Sequence, residues 1–250
     1  MSMRRNTGRD RRGQVFPVFS LAPYYASGIK MHWDAALGVT SSASRVSQWD
    51  DQTGNGNHMT QATGVNRPLL VTGATPSGRP VIQLDDAARF MQKNGGSTTQ
   101  ANAVSTVFMV VKVPNATAPR IYYHGNAGGT AGFQLTGATN NCTVSVLSST
   151  AITGAAYDLT KFQVIAWRLR ASGGYGTAID TKELYINGVL QAAPTGTPNL
   201  TQGTDTLLMG QNTISAAVSY AEMAEAPDTL MSATDVIAIS LGLMQKHGVT

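Results

Sequence analysis

Thirteen residues near the N-terminus, Trp49-Asp-Asp-Gln-Thr-Gly-Asn-Gly-Asn-His-Met-Thr-Gln61, restrict the fold more than any other stretch of this chain. Gly54 and Gly56 reach positive φ without steric cost, and Asn55 and Asn57 tolerate it better than most residues. A run so rich in turn formers excludes a helix and a central strand. It reads as a rigid loop on a β-scaffold, with Trp49 buried as its anchor. Asp50 and Asp51 are read as acceptors for the loop's own backbone N–H groups, an Asx-type role.

The 250 residues suit one all-β domain with a sizeable core. Only 13% are charged, against about a quarter in an average domain, while the 42% apolar content excludes a disordered chain. Residues 1–12 hold Arg4, Arg5, Arg9, Arg11 and Arg12 against Asp10, which accounts for the whole net charge of +4. A neutral body with a basic arm is the result, and the arm is the electrostatic handle. Cys142 is the single cysteine, so no intrachain disulfide can form; its strand-like setting reads as a small buried side chain. No stretch approaches the ~20 apolar residues of a membrane span. Arg11-Arg12 faintly resembles a twin-arginine export signal, but Pro17 and Pro23 interrupt the short apolar segment after it.

Residues 1–27 read as an extended arm, basic and then aromatic, in which Val15, Phe16, Val18 and Phe19 need something to cover them. From Ile29 the pattern is β: Ile29–Asp34, Val46–Trp49, Pro80–Leu84, Val104–Val113, Arg120–Tyr123, Gly132–Leu135, Cys142–Leu147, Phe162–Leu169, Glu183–Gln191, Thr206–Met209 and Val218–Ala224. Val104–Val113 is apolar enough for a central strand, and Asn187-Gly188 suits a type I′ hairpin turn. Ser232-Ala-Thr-Asp235 opens a short C-terminal amphipathic helix as a capping box, and Gly248 suits its C′ position.

In order, Trp33-Asp34, Trp49–Gln61, Arg67-Pro68, Gly78–Asp85, Phe108–Lys112, Glu183–Gly188, Met209-Gly210, Tyr220–Met223 and Lys246–Val249 resemble the LamG-like jelly-roll domains of the concanavalin A-like lectin/glucanase superfamily. The resemblance spans residues 28–250. It implies an antiparallel two-sheet jelly-roll sandwich, with the arm of residues 1–27 outside it. The chain departs from the family at Asp86-Ala87-Ala88-Arg89, where a Gly and another acidic residue are usual. Because the fold serves enzymes, lectins, adhesion modules and viral structural proteins, it carries little about activity.

Retaining glucanases of this fold carry Glu-x-Asp-x-x-Glu on one strand, and this chain has nothing of that form. Glu222-Met-Ala-Glu225 comes nearest, but a spacing of three on a strand sends the side chains to opposite faces. Glu222 is read as support for packing or a turn, and the chain as no enzyme. Asp34, Asp50, Asp51, Asp85 and Asp86 offer the oxygen ligands calcium prefers, Asp50 and Asp51 being weak calcium candidates. The hydrogen-bonding role is preferred, and no cofactor is expected. His32, His58, His124 and His247 lack zinc spacing, and His247 reads as helix-end chemistry. Tyr24, Tyr25, Tyr122, Tyr123 and Tyr175 are candidates for stacking on a sugar.

The arm reads best as docking on an acidic protein surface, with Arg4, Arg5, Arg9, Arg11 and Arg12 as forks and Val15, Phe16, Val18 and Phe19 as anchors. A nucleic acid or a solvated tail is the weaker reading. The leading expectation is a non-enzymatic virion structural protein of a tailed bacteriophage, made in the host cytoplasm. It would be capsid decoration or cement, or a tail component, joining a major capsid or tail protein and copies of itself. The alternative is a carbohydrate-binding, lectin-like module for host surface glycans.

Overall fold

A computed structural model describes residues 7–9, 15–17, 19–85, 88–93, 104–113, 120–125, 132–138, 141–146, 152–156, 158, 160–174, 177–178, 180–191, 206–209, 218–227 and 229–250. For residues 7–9, 15–17, 120, 123–125, 132–138, 141–146, 152–156, 206 and 208 the description is of the backbone. Along the chain come β1 (Thr7–Arg9), β2 (Val15–Pro17), β3 (Met31–Asp34), β4 (Val39–Ser42), β5 (Arg45–Trp49), β6 (Met59–Thr60), β7 (Leu69–Val71), β8 (Val81–Leu84) and β9 (Met91–Lys93). They are followed by β10 (Val104–Lys112), β11 (Arg120–Gly125), β12 (Gly132–Ala138), β13 (Asn141–Val146), β14 (Ile152–Ala156) and β15 (Gln163–Arg170). The last elements are β16 (Thr181–Ile186), β17 (Val189–Leu190), β18 (Thr206–Met209), β19 (Val218–Pro227) and α1 (Ala233–His247).

Two antiparallel ladders form the sandwich. One joins β3 and β8 to β19, and continues through β10, β15, β16 and β17. The other runs β4–β5–β6–β9–β18–β11–β12–β13–β14, and β7 bridges β5 to β8. Trp33 and Trp167 from the first ladder share one core with Trp49, Met59 and Met209 from the second. Among the described residues, β1 and β2 pair only with each other.

A second apolar layer covers the outer face of the first ladder, where Val236, Ile239 and Leu243 of α1 pack with Phe108, Val110, Val164 and Ala166. β10 is therefore apolar on both faces: Val107, Met109 and Val111 point between the sheets, and Phe108 and Val110 towards α1. That double burial is why its sequence is a continuous apolar run and not an alternation. The helix starts as read, since Ser232 Oγ accepts from Asp235 N–H at 3.0 Å and donates to Asp235 Oδ2 at 2.7 Å. It ends on Gly248 at φ 69°.

One irregularity places the site. Val110 pairs with Glu222, but Val111 pairs with Tyr220, so Ala221 is the extra residue of a β-bulge. Tyr220 and Met223 both face the inter-sheet core, while Ala221 and Glu222 both face the helix side. The bulge thus puts a carboxylate under the last turn of α1.

Candidate functional site

The Trp49–Gln61 loop is a structural bracket. Trp49 is fully buried. Asp51 Oδ1 accepts from the N–H groups of His32 (3.1 Å) and Thr53 (3.0 Å), and Oδ2 from that of Asn57 (3.1 Å). Asn55 Nδ2, Asn57 Nδ2 and Thr53 Oγ1 all donate to the carbonyl of Lys30, at 2.9, 3.0 and 3.0 Å. Gly54 and Gly56 take φ of 82° and 73°, whereas Asn55 and Asn57 keep negative φ and spend their side chains on these bonds. Asp50 is half-buried, and its Oδ1 accepts from Gln48 Nε2 at 2.7 Å. The loop's polar groups hold it to the start of β3.

Beneath the end of α1 lies a closed ionic cluster. Asp34 of β3 and Glu222 of β19 are direct cross-strand neighbours, each 1% exposed. Lys246 Nζ bridges them, 2.8 Å from Asp34 Oδ2 and 2.7 Å from Glu222 Oε2. Arg79 donates to Asp34 Oδ2 at 2.8 Å, so two cations balance two carboxylates. His247 Nε2 donates to Glu222 Oε2 at 2.7 Å, and His32 Nε2 to Oε1 at 2.8 Å. With Nε2–H spent, His32 Nδ1 accepts from Tyr25 O–H at 2.7 Å. Burial alone would push the Glu222 carboxyl up, but the donors His247 and His32 and the Lys246 charge together hold it well below the usual carboxylate range. Burial, and then the charges of Asp51, Glu222 and Asp34, push the Tyr25 hydroxyl up to about 12.

Glu225 points the other way, into the inter-sheet core, where it takes hydrogen bonds from Tyr122 O–H and from Ser105 Oγ at 3.2 Å. Burial, with the Glu225 charge, raises the Tyr122 hydroxyl well above its ordinary value. Glu222 and Glu225 therefore face opposite sides, as their spacing requires.

Above the ionic cluster the surface opens. Ser77 folds over the end of α1, donating its N–H to the His247 carbonyl (3.2 Å) and its hydroxyl to the Lys246 carbonyl (3.0 Å). A Cβ on Gly248 would lie 2.9 Å from Ser77 N, so the close approach needs glycine there. Beside this turn is a hollow of about 450 Å³, bordered by Thr75, Lys112, Thr160, Lys161, Phe162 and Val249. Its volume falls within the ~300–1,000 Å³ of small-molecule sites. Thr160 and Lys161 are set by an Asx turn: Asp158 Oδ1 accepts from the Thr160 N–H (2.9 Å) and hydroxyl (2.6 Å). Lys161 Nζ stands 3.4 Å from Asp158 Oδ2. Lys246 and His247 link the two levels, with side chains in the cluster and carbonyls holding the hollow's wall.

Of the arm residues, Arg4, Arg5, Arg11, Arg12 and Val18 lie outside the described residues, and Arg9, Val15 and Phe16 are described in backbone alone. Phe19 is half-buried against its own body, since a Cβ on Gly242 would fall 2.1 Å from its ring. Leu21 is fully buried in the helix-side layer. Tyr24 and Tyr25 are half-buried and Tyr122 fully buried; Tyr175 and the side chains of Tyr123 and His124 lie outside the described residues. Among the described residues, no tyrosine side chain is fully exposed. The hollow and the Lys246 bridge were not anticipated from sequence. A usable signal existed: Glu222 is an acid inside a largely apolar strand and Asp34 directly follows Trp33, and buried acids demand partners.

No protein-family profile matches the sequence, and no curated protein matches it. Solved structures do match. A structure reported for cell entry of botulinum neurotoxin type C, dependent upon interaction with two ganglioside molecules, superposes with TM-score 0.58 at 10% identity, over 90% of this chain and 53% of that one. A GH54 α-L-arabinofuranosidase gives TM-score 0.59 at 14% identity, over 81% and 51%. These likenesses settle the architecture. The chain is a jelly-roll sandwich. Trypanosoma rangeli sialidase adds TM-score 0.54 at 11% identity, over 96% of this chain and 35% of that one. The jelly roll thus spans about half the length of the first two chains and a third of the sialidase.

Proposed function

We propose that this jelly roll is a non-catalytic carbohydrate-recognition module, holding a saccharide unit in the hollow beside the end of α1. One observation carries the reading: the carboxylates that the fold brings face to face, Asp34 and Glu222, are sealed and spent on Lys246, Arg79, His32 and His247. Glycoside hydrolysis needs two carboxyl groups flanking an accessible bond. The hollow instead is lined by ammonium groups, hydroxyls and a few apolar side chains, Phe162 and Val249 among them, a mixture suited to a sugar. The solved structures of similar fold support it, since they include a toxin described with gangliosides, its relative's binding domain in complex with SialylT, and two enzymes of glycan chemistry.

The test is a glycan array probed with the full chain, followed by amide chemical-shift mapping with each hit. Saturable binding that moves Thr75, Phe162 and Val249, with no sugar released, is the expected result. Hydrolysis of a bound glycan would refute the non-catalytic reading, and an array without hits would refute recognition itself.

The second reading is the virion structural protein that joins capsid or tail through its arm. Favouring it are four exposed apolar side chains, Val189 and Leu190 of β17 and Ile237 and Leu241 of α1, the helix that seats Phe19. Light scattering of the full chain and of a variant lacking residues 1–18 tests it: self-association should belong to the full chain alone.

A further inference from the structure

The helix α1 turns an uncharged face to the outside. Its exposed residues are Ala233, Thr234, Ile237, Ala238, Leu241 and Gln245, none of them ionisable. The three ionisable groups of the helix are all engaged: Asp235 in the cap with Ser232, Lys246 and His247 in the buried ionic cluster. A surface helix ordinarily carries charges opposite its core-facing stripe, and this one carries none there. Ile237 and Leu241, 38% and 52% exposed, stand one turn apart on that face. The β16–β17 hairpin widens it. The hairpin tip lies against the helix, where a Cβ on Gly188 would meet Leu241 at 3.5 Å. Leu190 is 53% exposed and pairs with Tyr185 of the helix-side layer, so its side chain stands on the same side as α1. Val189 pairs with Ile186 of the inter-sheet core and points the other way. On the α1 side of β15 and β16, Arg168 and Glu183 are bound to each other at 2.5 Å.

What seats on this face follows from its charge and its size. A nucleic acid or an anionic membrane is held through cations, and the exposed face of α1 has none. Two-fold contact between copies sets each residue near its own kind. Like charges would repel there, and a face without charges meets its copy at no such cost. Ala233 and Ala238 let a second helix approach closely. The helix is about 22 Å long and about 10–12 Å across with its side chains. Even with β17 alongside, that falls short of the ~800 Å² per partner of a standard tight interface. We infer that α1 and β17 form a two-fold, reversible contact with a second copy of this chain, centred on Ile237, Leu241 and Leu190. The pairing rests on neither reading of function, and it differs from association through the arm in needing no basic residue.

Sedimentation velocity of the full chain from about 1 to 200 µM should show monomers passing into dimers and nothing larger, with a midpoint of about 10–100 µM, as befits a small contact. Raising the salt to about 0.5 M should leave that midpoint unchanged. Leu241→Lys and Ile237→Lys should each raise it roughly tenfold or more, because each buries a charge against its own copy, with thermal unfolding unchanged. Val65→Lys, at an apolar residue 72% exposed on the turn of residues 64–66, should not move it. A chain that stays monomeric at the highest concentration overturns the inference and leaves the face to the arm or to a different protein. Association that both lysine variants leave intact, or that weakens with salt, overturns it as well, since it then belongs to another surface, the basic arm foremost.

Discussion

At the scale of single residues, Glu222 shows how a charge survives inside a sandwich. An unpaired buried carboxylate costs several kcal/mol, and Glu222 avoids this with three donors on two oxygens. Truncating a partner leaves the remaining charges stranded. Lys246→Met removes the cation shared by Asp34 and Glu222, and should destabilise the fold by about 3–5 kcal/mol, read from urea unfolding midpoints. Lys246→Met combined with Glu222→Leu should cost clearly less than the sum of the two single changes, because no lone charge is left on that side. A Lys246→Met variant that unfolds with the parent would show that the bridge contributes nothing. His247 could be read from sequence as a helix-end residue, and it is one; that its ring also meets Glu222 follows from the bulge at Ala221.

At the scale of elements, two glycines do different work. Gly188 sits in the β16–β17 hairpin at φ 75°, following Asn187 at 51°, the positive pair a type I′ turn requires. A Cβ there would meet Leu241 at an ordinary 3.5 Å, so Gly188→Ala should cost about 1–2 kcal/mol of backbone strain alone. Gly242 in α1 is different, because a Cβ would collide with the Phe19 ring. In an open helix, Gly→Ala gains about 0.8–1 kcal/mol. Gly242→Ala should show that gain only in a Phe19→Ala background; in the parent chain, expulsion of Phe19 should offset it and expose residues 19–21 to limited proteolysis. Equal effects in both backgrounds would mean that Phe19 does not rest on the helix. The hairpin, the capped helix and β10 were legible because each carries a local signal. β4, β6, β7 and β9 were not: each has two to four residues, and β4 (Val39-Thr-Ser-Ser42) has no buried residue to mark it.

At the scale of the whole molecule, the ionic cluster ties β3, β19, the 74–79 turn, the Tyr24-Tyr25 segment and the end of α1 together, so pH should act on the fold as a unit. Glu222 titrates lower folded than unfolded. Its contribution is whole above the unfolded value of about 4.3, and is lost as pH falls from there through the folded value. Tyr25 behaves oppositely: its folded value of about 12 lies above the ordinary 10.0, so its contribution is whole below 10 and drains away as pH climbs towards 12. Denaturant midpoints against pH should therefore fall at both ends, and Tyr25→Phe should flatten the alkaline slope. An unchanged slope would remove Tyr25 from the account.

Sequence alone determined the scaffold, because turn chemistry, strand pattern and helix caps are written in neighbouring residues and need no distant partner to be read. The sandwich, its outer helix and the anchoring role of Trp49 and Asp51 follow from them. The tertiary structure alone decided that Asp34, Glu222 and Lys246 meet, and that Lys112, Lys161 and Phe162 border one hollow. Those residues stand far apart along the chain, and what joins them is strand pairing, one bulge and the closing turn of a helix.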